Sequence, residues 1–537
     1  MGEEILNPDN FHDFKDWWDY NGKRFPNHAA LIDDSHRLNW KEASRLASRL
    51  AAALLSLGLS EGDVVASWLP NWIESYILHV ACERTGLAWL PITAALREHE
   101  VMPILARGET RAVFVAGIWH NREYAKAISQ MKPELTHLTH VIGVGTGKET
   151  DLLSWDQLLS QENSAPSERR TPGPLILPTS GSTGAPKFAY FSPSSWLLRG
   201  KIQSEIFRLT SEDLLLAMSQ GIGPSIAPLF AAPIAASGVV LMERLEVEEI
   251  LSLVEREKIT IVCAVPAQLA RLVHHPAWNP SRCHSVRLWY TTGAAMPSSL
   301  AERLESETHG LVLSGYGGMD FGGWTVPLLD DPREIRHYTV GRPRGGTEIR
   351  LVDDQSRDVQ YGDIGEIWGR GPCCASGYFR DQTATNEQWT SDGWFRTGDL
   401  GRWDPQGNLI VVGRKKEIIR RGARTIVPAE IEQLLMAHPK ILEAAVIALP
   451  DPVLEERVCA CVAPRAGETF SHDEMINFLN QRQIAPYKWP ERLEVFAELP
   501  RRENKIDKKA LLELLASSRN FTQEHGLGQP EGDREDK

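Results

Sequence analysis

The run Thr179-Ser180-Gly181-Ser182-Thr183-Gly184, closing on Pro186-Lys187, combines hydroxyls, glycines and a cation. Backbone N–H groups and side-chain O–H groups in such a loop can wrap anionic oxygens, and Lys187 adds positive charge. A Walker-type loop needs glycine immediately before its lysine. Pro186 stands there instead, so the expected grip on phosphate is of another kind.

Three later segments carry further chemistry: "GYGGMD" (315–320), "WFRTGDLGRWDPQGNLIVVGRKKEIIRRGARTIVPAEIE" (394–432) and "LPRRENKIDKKAL" (499–511). With "TSGSTGAPK", in this order and at these separations, they resemble the adenylate-forming superfamily. That superfamily comprises acyl-CoA synthetases, aryl-acid ligases, peptide-synthetase adenylation domains and luciferases. The resemblance spans roughly residues 10–515. It is closest in type to stand-alone acyl-CoA ligases.

The resemblance implies a two-step reaction. A carboxylate attacks the α-phosphorus of ATP to give an acyl adenylate, and a thiol then displaces AMP after a small C-terminal domain rotates. It implies a nucleotide site of Thr179, Ser180, Gly181, Ser182, Thr183, Gly184 and Lys187, with Gly293, Ala294, Ala295, Tyr316, Gly317 and Met319 around the adenine and α-phosphate. Asp399 would accept the ribose hydroxyls, a bidentate task suited to a carboxylate, and Arg414 would reach ribose or phosphate oxygens. Lys505 would be the catalytic cation of adenylation. Asp320 and Thr183 would hold Mg²⁺, and Lys416 would sit at the hinge. Arg420, Arg421, Ala423 and Arg424 lie in a run with six cations, Gly413 to Arg424. Such a run is often a solvated face; here the resemblance points it at the phosphates of coenzyme A. The implied ligands are ATP or acyl-AMP, Mg²⁺ and CoA, with a separate carrier protein as the alternative thiol acceptor. A homodimer stays open.

Four positions depart from the family pattern. The usual Tyr-Gly-x-Thr-Glu reads Tyr316-Gly317-Gly318-Met319-Asp320, and methionine cannot donate the threonine hydroxyl's hydrogen bond. Asp320 is one methylene shorter than the metal-binding glutamate. The segment Pro500–Lys505 is one residue short, with Asn504 where glycine is usual. Ala423 replaces a glycine of the pantetheine tunnel. The first three bear on adenylation, so a chain that only thioesterifies a preformed adenylate is an alternative, and a nucleotide-binding regulatory pseudoenzyme is another. For the acyl pocket the candidates are Gln220, Gly221, Gly318, Phe321 and Gly322. Their glycines suggest room for a bulky, mostly apolar acid.

These residues need elements to hold them. "WKEASRLASRLAAALLSLG" and "NWIESYILHVACERTG" have helical apolar spacing ending in glycine, and "DVVASWLP", "LAWLPIT" and "AVFVAG" read as buried strands between and after them. The rhythm resumes with "VVLMERL", "EVEEILSLVEREK", "ITIVCAVP", "VRLWYTTGAAMP" and "VLSGYGGMDFGG". The expected fold is α/β: a large N-terminal domain of α/β layers (1–415) with a β-rich subdomain at about 345–415, then a mobile C-terminal α+β domain (416–516). The polar segment 517–537 is expected to be a disordered tail.

Composition agrees with a globular chain of 537 residues, long enough for two or three domains. A net charge of −13 disfavours nucleic acid. No leader peptide or membrane span is expected, which suggests a cytoplasmic protein. The seven cysteines include no CxxC, and Cys459 and Cys461 in "RVCACVAP" are expected on one face of a strand as core.

Overall fold

The computed structural model describes residues 11–146, 152–160, 171–179, 186–218, 226–421, 424–451, 454–502 and 505–515. The expected tail falls outside them. Two compact units emerge: residues 1–397 with 401–411, and residues 398–400 with 412–537.

The first unit is built on two seven-stranded sheets. In one, Leu311–Ser314, Leu288–Thr291, Ile261–Ala264, Leu214–Ala217, Gly238–Leu241 and Ala29–Ile32 lie side by side, all parallel, with Arg37–Asn39 antiparallel at the edge. In the other, the parallel run Leu175–Thr179, Ala88–Thr93, Val64–Leu69, Thr110–Ala116, His140–Val144 and Leu153–Ser154 carries Lys187–Phe191 antiparallel on its outer side. Strands covered on both faces read as unbroken apolar runs, and Val64–Leu69 is buried at every position.

Helices cover these sheets as the sequence spacing predicts. Trp40–Ser56 starts at a capping box in which Asn39 accepts the Glu42 N–H and Glu42 accepts the Asn39 N–H. Ile73–Thr85 stops at Gly86, which takes the left-handed conformation (φ 76°) that a side chain disfavours.

The glycine cluster after Ser314 forms a hairpin, Tyr316–Gly318 against Gly322–Val326. A Cβ on Gly317 would stand 2.3 Å from the Gly322 carbonyl oxygen, so glycine is what lets the two strands meet. Further on, Glu348–Val352, Gly365–Arg370, Phe395–Trp403 and Leu409–Arg414 form a four-stranded sheet. The boundary between the units runs through its last two strands.

The second unit centres on a long hairpin, Ile441–Asp451 with Glu455–Pro464, flanked by Ile419–Arg421 and Arg424–Ile426 on one side of the path and joined in parallel by Arg492–Val495. Alternation splits its side chains between two cores. Val446, Val458, Ala460 and Val462 pack with Ile431 and Leu435 of the Pro428–Met436 helix. Ala445, Ile447, Leu449, Cys459 and Cys461 pack on the opposite face with Leu499 and Leu511. The two thiols therefore share a face, and all seven cysteines are free.

Candidate functional site

The phosphate-loop candidates stand on paired strands. Leu175–Thr179 and Lys187–Phe191 run antiparallel, and Thr179 faces Lys187 in register. Ser180, Gly181, Ser182, Thr183 and Gly184 lie outside the described residues, as do Gln220, Gly221 and Ala423. What is placed is the footing of the loop: buried Thr179 on one side and partly buried Lys187 on the other.

Lys187 leads to a residue that the sequence reading missed. Its Nζ sits 5.0 Å from the ring centre of Tyr378, close enough for a cation–π attraction. The segment bearing Tyr378 is stitched to the Lys187–Phe191 strand: Tyr190 N–H donates to Gly377 O, Ser376 N–H to Tyr190 O, and Phe379 N–H to Phe188 O. Burial pushes the Tyr378 phenol up, and its neighbour and hydrogen-bond partner Asp320 pushes it further, so the hydroxyl stays protonated and donates to the Asp320 carboxylate. Lys187, Tyr378 and Asp320 thus form one chain of contacts, although Asp320 and Tyr378 come from separate stretches of sequence. No local motif announces Tyr378.

Asp320 and Met319 close the hairpin that Tyr316 opens. The Tyr316 ring lies 5.6 Å from Phe321 and 6.3 Å from Trp324, at the edge of a cluster with Phe395 and Leu409. Met319 packs its side chain against the main core. Gly293, Ala294 and Ala295 are exposed and follow the Leu288–Thr291 strand, with Gly293 at φ 87°. Gly315 N–H donates to Thr291 O, so the two candidate turns leave neighbouring strands at their carboxyl ends, where parallel sheets usually place ligands.

Close packing surrounds two of the pocket glycines. A Cβ on Gly318 would lie 2.4 Å from the Phe321 ring, and one on Gly322 would lie 2.5 Å from Cys373 O, with φ already at 74°. Neither position would take a side chain without a shift of its neighbours.

In the second unit, Asp399 is 6% exposed, and its Oδ1 lies 2.9 Å from Arg414 Nε. Lys416 is exposed in the short turn Lys415–Glu417. The cation run is partly neutralised. Arg421 pairs with Glu491, and Arg424 stacks over Tyr487 at 4.2 Å. Arg420 is exposed, with its N–H donated to Glu456. Lys505 opens the strand Lys505–Ile506, its backbone opposite Arg502.

Among the described residues, no group of three or more His, Cys, Asp or Glu gathers to hold a metal. No helix among them is long and apolar enough to cross a membrane. A cavity of about 530 Å³ lined by Arg97, Glu98, Trp119, His120 and Arg122 contains none of the candidate residues.

Two α/β sheets followed in the chain by a small α+β unit match the architecture of the adenylate-forming class. Residues 18–379 match the AMP-binding enzyme family, and residues 430–505 match the AMP-binding enzyme C-terminal domain. A salicylyl-CoA synthase / salicylate adenylyltransferase of Streptomyces is 32% identical over 511 residues, covering 91% of each chain. The medium-chain fatty-acid–CoA ligase of Escherichia coli is 29% identical over 507 residues, 93% of this chain and 89% of the relative. Among solved structures, an anthranilate CoA ligase, AuaEII, with anthranoyl-AMP superposes with a TM-score of 0.85 at 22% identity, covering 95% of this chain and all of that one. ATP-bound MatB from Rhodopseudomonas palustris gives 0.82 at 24%, covering 94% and 99%. This chain belongs to the AMP-binding enzyme family, in the adenylate-forming superfamily of acyl-CoA and aryl-acid ligases.

Proposed function

We propose that the chain is an acid–thiol ligase that activates a bulky, mostly apolar carboxylic acid as its acyl adenylate and transfers the acyl group to coenzyme A. The observation that carries this reading is the contact chain Lys187–Tyr378–Asp320, which gathers a cation and a carboxylate at the foot of the phosphate loop. In the first step a carboxylate oxygen forms a bond to the α-phosphorus as the bond to the β-phosphate oxygen breaks, releasing pyrophosphate. Lys187 offsets charge on the phosphates and Lys505 offsets it on the reacting oxygens. Asp399 receives the ribose hydroxyls, with Arg414 fixing its carboxylate. In the second step the thiol sulfur bonds to the acyl carbon and AMP leaves, with Arg420, Arg421 and Arg424 near the phosphates of CoA and Lys416 at the pivot between steps.

Mg²⁺ typically takes one or two protein carboxylates and fills its shell with phosphate oxygens and water. Asp320 as a single carboxylate beside a phosphate loop suits that pattern, and when bound the ion would neutralise phosphate charge.

A second reading has its own support. Met319 is partly buried against the core and offers no hydroxyl where the family has threonine. Loss of one such donor costs about 10²–10³ in rate. The chain would then chiefly thioesterify a preformed adenylate. One mass-spectrometric assay separates the two: pooled free acids with ATP, Mg²⁺ and CoA in one arm, and matching synthetic acyl adenylates with CoA in the other. Acyl-CoA from both arms is expected for the complete ligase. Product from the adenylate arm alone supports the second reading, and none from either arm defeats both.

A further inference from the structure

The helix Pro193–Phe207 begins at Ser192, whose Oγ accepts the Ser195 N–H, with Pro193 in its first turn. Trp196, Gly200, Gln203 and Phe207 recur at helical spacing and are buried. Gly200 lets this helix press onto its neighbour, since a Cβ there would stand 2.3 Å from Phe230 O. On that inward side the helix also carries a cation, Arg199.

The Arg199 guanidinium stacks on Trp196, 4.6 Å from the ring centre. Its nitrogens come within 3.4–3.7 Å of where a Cβ on Gly323 or Gly322 would be. Tyr290 and Cys373 are its polar neighbours. The Tyr290 hydroxyl would lie 2.8 Å from a Cβ on Gly315. Arg199 thus stands behind the hairpin that carries Tyr316, Phe321 and the acyl-pocket candidates, at the carboxyl edge of the parallel sheet.

What it lacks is a counter-charge. Arg199 Nε is enclosed without a hydrogen-bond partner, and no carboxylate among the described residues stands beside the guanidinium. Burial pulls its pKa down, and Tyr290 and Cys373 only partly oppose that. Arginine does not lose its proton in proteins. The residue is half-buried, with Nε shut away from water. A charge partly removed from water gains from a partner, and a stacked, planar fork is preorganised for a carboxylate.

We infer that Arg199 is a specificity-determining residue that pairs with a second carboxylate on the acyl substrate, so that the acid is a dicarboxylate with an apolar frame. The basis is a guanidinium stacked on Trp196 against Gly322 and Gly323 with no carboxylate of its own. The inference rests on the adenylate-site reading above and refines the acid it assigns. One carboxylate is activated; the other stays ionised on Arg199 and orients the acyl group.

The test is binding, so it does not depend on whether adenylation survives. Isothermal titration of the full chain would compare 5′-O-(N-acylsulfamoyl)adenosines carrying ortho-, meta- and para-carboxybenzoyl or glutaryl groups with their methyl isosteres. ATP would be titrated in parallel. The wild type is expected to bind at least one carboxylated probe more than about tenfold tighter than its isostere, as a charge-assisted pair should. Arg199→Met should abolish the preference while leaving ATP and the methyl probes unchanged, and Arg199→Lys should keep part of it. Equal binding of each pair by the wild type would overturn the inference, whether or not Arg199→Met folds. So would a preference that survives in Arg199→Met, or a matching loss of ATP affinity, which would assign Arg199 to nucleotide phosphate. Failure of ATP and every adenosine probe to bind the wild type would overturn the adenylate-site reading itself.

Discussion

Met319 and Asp320 are the residues where composition and role pull apart. Asp320 keeps a carboxylate in contact with the Tyr378 hydroxyl, while Met319 has exchanged a hydrogen-bonding group for an apolar one that packs against the core. If the missing hydroxyl limits adenylation, Met319→Thr should raise the rate of acid-dependent ATP–pyrophosphate exchange by about tenfold or more, with thioesterification of a supplied adenylate unchanged. No change in exchange would mean that the α-phosphate finds its donor elsewhere. A substitution at Gly318 is a poor probe of the acyl pocket, because any side chain there first meets the Phe321 ring.

At the scale of elements, the strand that delivers Tyr316 is anchored by one carboxylate. Glu305, on the Ser298–Thr308 helix, accepts the Val312 N–H of the Leu311–Ser314 strand. It takes two bonds of 2.8 Å from Arg336 on the Arg333–Tyr338 helix, and His337 Nε2 lies 3.1 Å away. Burial raises the Glu305 pKa, but the nearby His337 and the bonds from Arg336 and Val312 outweigh it and hold it down to about 2. A folded pKa below the unfolded value means that the unfolded chain binds the proton more readily. The clasp therefore contributes fully above about pH 4.5, and its contribution drains away as pH falls toward about 2. Glu305→Ala, which strands the buried Arg336, should cost about 3–5 kcal/mol near neutral pH. In urea titrations at successive pH values, the deficit against the wild type should shrink on acidification. A deficit independent of pH would show that lost packing, not charge, sets it.

For the whole molecule, each unit has its own hydrophobic core, and the second has one on each face of its hairpin. Units with separate cores are expected to melt as separable transitions. Leu435 is fully buried in the second unit, so Leu435→Ala should destabilise that unit by about 2–5 kcal/mol. Differential scanning calorimetry should show one transition lowered and the other unmoved; equal shifts in both would mean that the units unfold as one.

The α/β class, the order of its elements and the family were legible in the sequence because each rests on local pattern. Apolar periodicity distinguishes helix from buried strand, Gly86 marks a helix end, and a run such as "TSGSTGAPK" has few other uses. Even the shared face of Cys459 and Cys461 follows from a period of two. The tertiary structure decided what depends on residues far apart in the chain. It folded the glycine cluster 315–323 into a hairpin and set the Phe321 ring against Gly318. It set Tyr378 between Lys187 and Asp320, and Arg199 behind Gly322 and Gly323 without a carboxylate. Periodicity reports which face of an element is apolar; which charge meets which partner across that face is settled only when separate elements pack.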